Sequence, residues 1–105
     1  MAFTKTKSYL DSLDMVTADK LDVLAKELLY DEEAYERASQ ALRRRYSRGA
    51  NEVEGIDRGG RATRIRREKQ GGKFKYFVMG KDSMWSSPEE RLWVVAMYAN
   101  WQNSR

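Results

Sequence analysis

Apolar positions recur at helical spacing through the first 48 residues of the chain and at a spacing of two further on. Tyr9, Leu10 and Leu13, with Phe3, give a short helix over about residues 5–13 an apolar side. Thr17 reads as the N-cap of a second helix, with Asp19 in a first turn where negative charge suits the helix dipole. Leu21, Leu24, Ala25 and Leu28 form its stripe, and the helix is expected to run to about Leu29 or Tyr30. In "DEEAYERASQALRRRYSRG", Asp31 can cap a third helix. Tyr35, Ala38, Leu42 and Tyr46 make its inner stripe, and Gly49 suits its stop. The pattern leaves open whether Tyr30–Asp31 interrupts one long helix or separates two.

Residues 49–60, "GANEVEGIDRGG", read as a loop anchored by Val53 and Ile56. In "IRREKQGGKFKYFV", residues 65–78, the period is two and a Gly-Gly pair sits in the middle. That is the signature of a hairpin with a two-residue turn. With Gly71–Gly72 as the turn, Lys69 faces Phe74, Glu68 faces Lys75, Arg67 faces Tyr76, Arg66 faces Phe77 and Ile65 faces Val78. Ile65, Val78, Tyr76 and Phe74 then share the better core face, with Arg67 and Lys69 toward the tip. Arg64, Arg66, Lys73 and Lys75 share the other face with Phe77 and Met79. Ser87, Pro88 and Glu90 read as N-cap, first helical position and capping-box acid of a last helix. Its run Leu92–Tyr98 is apolar all round, so it is packed on every side or meets a partner.

The expected class is therefore α+β: three N-terminal helices, a basic two-stranded β-hairpin and a buried C-terminal helix. All 105 residues form one domain, with 1–48 helical, 49–60 loop, 61–80 hairpin and 87–102 the last helix.

Composition narrows the chemistry. The chain has no Cys and no His, which removes disulfides, thiol catalysis, the usual zinc ligands and the commonest general base near neutral pH. Glu52, Glu54 and Asp57 lie close in sequence but match no metal motif, and no phosphate loop is present. A non-enzymatic protein without cofactor is expected. No signal-peptide core or membrane-length apolar run appears, so the chain reads as cytoplasmic, with no membrane partner.

Charge is segregated. The net charge of +4 contains an acidic first third, with four Lys against nine Asp and Glu over residues 1–36. Residues 37–75 carry thirteen Arg and Lys against four acids. Such a block supplies the cations that replace counterions along a phosphate backbone. The candidate nucleic-acid contacts are Arg43, Arg44, Arg48, Arg61, Arg64, Arg66, Arg67, Lys69, Lys73 and Lys75, for DNA or RNA. The bland alternative is that helix polarity and solvation alone explain the arginines.

The order of helix, helix, turn, helix and basic hairpin over about residues 18–80 resembles winged helix-turn-helix DNA-binding domains. "LAKELLYDEEAYERASQALRRR" is similar to their paired helices and "RIRREKQGGKFKYFVM" to their wing. The resemblance implies that the second paired helix enters the major groove while the wing touches adjacent backbone. Here that helix opens with Asp31, Glu32, Glu33 and Glu36, so its basic C-terminal end and the hairpin would carry the contact. A second function class fits the same segregation: a protein-binding regulator or inhibitor, such as a phage-type accessory protein, acting on a nucleic-acid-handling machine. For it, Phe77, Met79, Trp85 and Trp101 are the candidate anchors.

Overall fold

A computed structural model of the chain describes residues 4–80, 84–86 and 88–105, with side chains from residue 8 onward. The order of elements is α1 (Thr4–Asp11), α2 (Lys20–Tyr30), α3 (Glu32–Ser47), β1 (Glu52–Ile56), β2 (Ala62–Gln70), β3 (Lys73–Val78) and α4 (Arg91–Asn103). The class is α+β, and the three strands form one antiparallel sheet in the order β1-β2-β3.

The helix boundaries follow from capping chemistry. Asp19, rather than Thr17, caps α2, because its carboxylate accepts from the Asp22 N–H at 2.8 Å. Thr17 instead lies in the preceding turn, its N–H bonded to the Asp14 carbonyl at 3.0 Å. Asp31 separates α2 from α3. Its extended backbone ends the first helix, and its carboxylate accepts from the Ala34 N–H at 3.1 Å to start the second. At the other end of α3, Gly49 N–H bonds the Tyr46 carbonyl and Ala50 N–H bonds the Arg45 carbonyl. This Schellman closure satisfies two otherwise orphaned acceptors.

β2 and β3 pair in the register expected from the sequence, from Ile65 opposite Val78 to Lys69 opposite Phe74. Both turn glycines have positive φ, 58° and 80°, as a two-residue hairpin turn of the twisted type demands. Ile65 and Tyr76 are buried as expected for the inner face, whereas Phe74 near the tip is 49 % exposed.

Two further expectations are corrected. Residues 49–60 are not all loop, because Glu52–Ile56 form β1, paired to β2 with Val53 opposite Ile65. The sheet therefore has three strands rather than two. The strand is short, carries two acids and is interrupted by Gly55, a composition strands disfavour. Pairing with β2 and packing on α4 hold it in place. A Cβ at Gly55 would stand 3.0 Å from Ile65 Cδ1 and 3.4 Å from Met97 Cβ. The glycine is what lets helix and strand approach. Gly55→Val is expected to destabilise the fold by about 1–3 kcal/mol, as overpacking does, read as a lower denaturant midpoint at unchanged slope.

The second correction concerns the start of α4, at Arg91 instead of near Pro88. The preceding segment is drawn onto β3: Ser86 N–H bonds the Val78 carbonyl at 2.8 Å and Glu89 N–H the Tyr76 carbonyl at 2.9 Å. Glu90 then occupies the N-cap position without a side-chain cap bond. The proposed cap Ser87, like Phe3, lies outside the described residues.

The core centres on α4. Leu92 and residues 94–99 are all buried, as the apolar run requires, and the polar Asn100 is buried with them. α2 and α3 cover it on one side and β1 on the other. Leu10, Leu21, Ala25, Leu28, Leu42, Val53 and Ile65 complete one cluster with it. Tyr46 ties α3 to the central strand, its buried hydroxyl donating to the Ile65 carbonyl at 2.7 Å. Burial pushes that hydroxyl well above its ordinary pKa, so it stays a donor.

Candidate nucleic-acid interface

The ten basic candidates fall into different environments. On the outer face of the sheet, alternation puts Arg64 and Arg66 beside Glu52 and Glu68. Arg64 lies 3.2 Å from the Glu52 carboxylate and Arg66 3.3 Å from that of Glu68. The Arg66 guanidinium also spans two rings, 4.5 Å from the centre of Trp85 and 5.5 Å from that of Phe77. These two arginines are partly neutralised by acids of their own sheet. Lys75 stands exposed on the same face.

The acids singled out in the sequence are likewise occupied. Glu52 holds Arg64, and Glu54 takes two 2.9 Å bonds from Arg45. Asp57 accepts from the Arg61 N–H at 2.9 Å to close the β1–β2 turn. The Glu54 bond is the main reason the Arg45 guanidinium is held above its ordinary pKa. Among the described residues no group of three or more His, Cys, Asp or Glu could hold a metal ion.

The inner face is different at its tip. There a recess of about 430 Å³ lies between the hairpin, α3 and the segment leading into α4. Arg43 of α3, Arg67 of β2, Lys73 of β3 and Arg91 at the start of α4 line it, together with Phe74 and Tyr76. Arg67 lies on two rings, 3.8 Å from the centre of Phe74 and 4.6 Å from that of Tyr46, which fixes its planar head at the mouth. Lys69 approaches the Phe74 ring to 6.0 Å. Arg43 has one distant acid, Glu36 at 3.8 Å, and both side chains are substantially exposed. Such a pair neutralises little. Arg91 is oriented by donating to the buried Ser39 hydroxyl at 2.6 Å.

Glu89 also borders the recess. Burial pushes its carboxyl above the ordinary value, with Arg58 acting against that shift and Glu90 adding to it. The arrangement offers four cations and a half-open aromatic ring around a concavity, the donor set that meets phosphates and base faces.

Arg43 and Arg67 of the sequence candidates therefore come together here, with Lys69 beside them, and Lys73, which alternation puts on the outer face with Lys75, borders the recess from its place next to the turn. Arg44 and Arg48 stand exposed near the C-terminal end of α3. Arg61 lies apart, with Arg64, Met79 and Trp101, around a second cavity of about 550 Å³ beyond the β1–β2 turn. Trp101 is flanked by Arg45 at 5.5 Å and Arg105 at 4.6 Å. Phe77, Met79 and Trp85 are half-buried on and beside β3, where Met79 and Trp85 form an isolated bridge.

Four side chains of the recess, Phe74, Tyr76, Glu89 and Arg91, are not among the contacts the sequence suggests. Arg91 sits in a helix whose local pattern speaks only of capping and core. Phe74 lies on the inner face as the register predicts, and its nearness to the turn is the sequence signal of its exposure.

No family model, no curated protein and no solved structure matches the chain. No helix of the described residues is long and apolar enough to cross a membrane.

Proposed function

We propose that the protein binds nucleic acid without catalysing a reaction on it, through the recess at the tip of the β2–β3 hairpin. The observation that carries this reading is the convergence of Arg43, Arg67, Lys73 and Arg91 around a half-exposed Phe74. The four cations come from four separate segments, so helix polarity alone does not account for their meeting. In winged-helix terms the hairpin acts as the wing. The exposed acids Glu32, Glu33 and Glu36 at the start of α3 displace the contact to that helix's C-terminal half.

Fluorescence anisotropy with labelled oligonucleotides across a salt series tests the reading. The logarithm of the affinity is expected to fall linearly with the logarithm of salt, with a slope of about −3 for four phosphate contacts on a single strand. Absence of binding at low salt contradicts the proposal.

A second reading has its own observation. Phe77, Met79 and Trp85 gather on the outer side of β3, with Arg66 lying over both rings. A ring-and-arginine group of this kind suits a protein partner. Under that reading a pull-down recovers a defined partner that nuclease treatment does not release, and Trp85→Ala abolishes the capture.

A further inference from the structure

We infer that the hairpin-tip recess takes a single strand, with one base stacked on Phe74 and the flanking phosphates held by Arg43, Arg67, Lys73 and Arg91. The inference rests on the nucleic-acid reading and adds the strand state of the ligand. Three observations carry it.

First, the contact surface is a concavity. At about 430 Å³ it falls in the range of pockets that enclose one small molecule, ~300–1,000 Å³. It can enclose a nucleotide unit, whereas the phosphates of a duplex lie on a stiff convex cylinder that meets only the rim.

Second, Phe74 offers a ring face. Its side chain lies on the core-facing side of β3 next to the turn, yet it is 49 % exposed. In a duplex the base faces are covered by their neighbours and no partner exists for that ring. In a single strand every base has a free π-face, whatever its identity. Third, the ring is braced before any ligand arrives. Arg67 packs 3.8 Å from its centre and is itself held on Tyr46. Stacking therefore costs little side-chain ordering, and the guanidinium adds charge beside the strand.

The same concavity serves DNA and RNA, because phosphates and base faces are common to both. Sequence preference is expected to be weak, since none of the three observations involves a base edge.

The test uses the full chain and three probes of one mixed sequence: a DNA strand, its duplex and the corresponding RNA strand. The chain is expected to bind either single strand more tightly than the duplex. Phe74→Ala is expected to weaken single-strand binding by about fivefold to a hundredfold, the range for losing one stacked base. Its salt slope and its duplex affinity are expected to stay at the wild-type values. Phe74→Leu, which keeps apolar bulk without a π-face, should behave like the alanine variant, and Phe74→Trp should retain the preference. Phe74 is half-exposed, so unchanged thermal melting of the variants is expected and is checked alongside.

Equal or tighter binding of the duplex overturns the inference while leaving the nucleic-acid reading in place. So does a Phe74→Ala loss that is the same on both strand states. Absence of salt-dependent binding to all three probes removes the reading beneath it.

Discussion

Replacement of Arg58 by Ala is expected to destabilise the fold by about 2–3 kcal/mol at neutral pH. That is somewhat less than the ~3–5 kcal/mol of breaking a wholly buried pair, because Arg58 is half open to solvent. Arg58 sits in the β1–β2 turn and reaches to the N-terminus of α2. Its Nη2 lies 3.0 Å from the Asp22 carboxylate, whose side chain is only 7 % exposed, and its Nε lies 3.6 Å from Asp19. The guanidinium also covers the Trp93 ring at 4.7 Å. Arg58 thus holds the sheet, α2 and α4 in one relation, and its loss leaves a carboxylate buried without its counter-ion.

The pH dependence follows from Asp22. Burial pushes its carboxyl above the ordinary value of 3.8, and Arg58 is the leading cause acting the other way. Without Arg58 that carboxyl rises further. A carboxyl raised in the folded state binds a proton where the unfolded chain has already released it. Stability therefore falls as pH rises from about the unfolded value through the folded one. The deficit of the Arg58→Ala variant relative to wild type is expected to be full at neutral pH and to shrink as pH falls toward the ordinary carboxylate range.

Asp22→Asn in the Arg58→Ala background should recover much of the loss at neutral pH, because an amide needs no counter-ion. The part due to packing on Trp93 would remain. Urea melts of the two single variants and the double variant at two pH values measure all of this. An Arg58→Ala variant as stable as wild type, or a double variant no better than the single, contradicts the account.

Arg58 also marks the limit of what the sequence discloses. Its partners lie 36 and 39 positions away, and nothing in "GIDRGG" distinguishes it from a solvated turn arginine. Local signals were legible. The Gly-Gly pair within a period-two run admits one register, and β2 and β3 adopt it. The acid-to-base order along α3 and the apolar run of α4 likewise carry their structural meaning on their face. What escaped depended on contacts distant in the chain.

β1 is the instructive case. A five-residue strand with two acids and a glycine has almost no signal of its own, and its pairing with β2 and packing on α4 are what reveal it. Missing it had a direct consequence for the site. Without Glu52 on the neighbouring strand, the outer face of the hairpin reads as open positive charge around Arg64 and Arg66. With it, Arg64 is paired, and Arg66 is engaged by Glu68 and the Trp85 ring. The cations gathered from four segments around one concavity are those at the hairpin tip, joined by an arginine 24 positions beyond Arg67 in the chain.

The second large effect is on binding. Removing three recess cations together, Arg43→Ala, Arg67→Ala and Lys73→Ala, is expected to reduce the salt slope on a single strand by about 2. Affinity near 0.1 M salt is expected to fall by roughly a hundredfold, since each phosphate contact contributes about 0.7 to the slope. None of the three lies in the buried cluster. The Arg43–Glu36 pair is exposed and worth little, and the variant is expected to melt close to wild type.

The matching control removes Arg64 and Arg66, whose charges are partly met by Glu52 and Glu68. Total positive charge alone would make the two sets of variants similar per residue. A recess that holds the phosphates would not.

The salt slope of single-strand binding, compared between the recess variant and the outer-face variant, decides whether the recess holds the phosphates. The recess variant is expected to lose about two units of slope while the outer-face variant stays close to wild type. An outer-face variant that loses as much slope as the recess variant, or more, would contradict that placement of the phosphates.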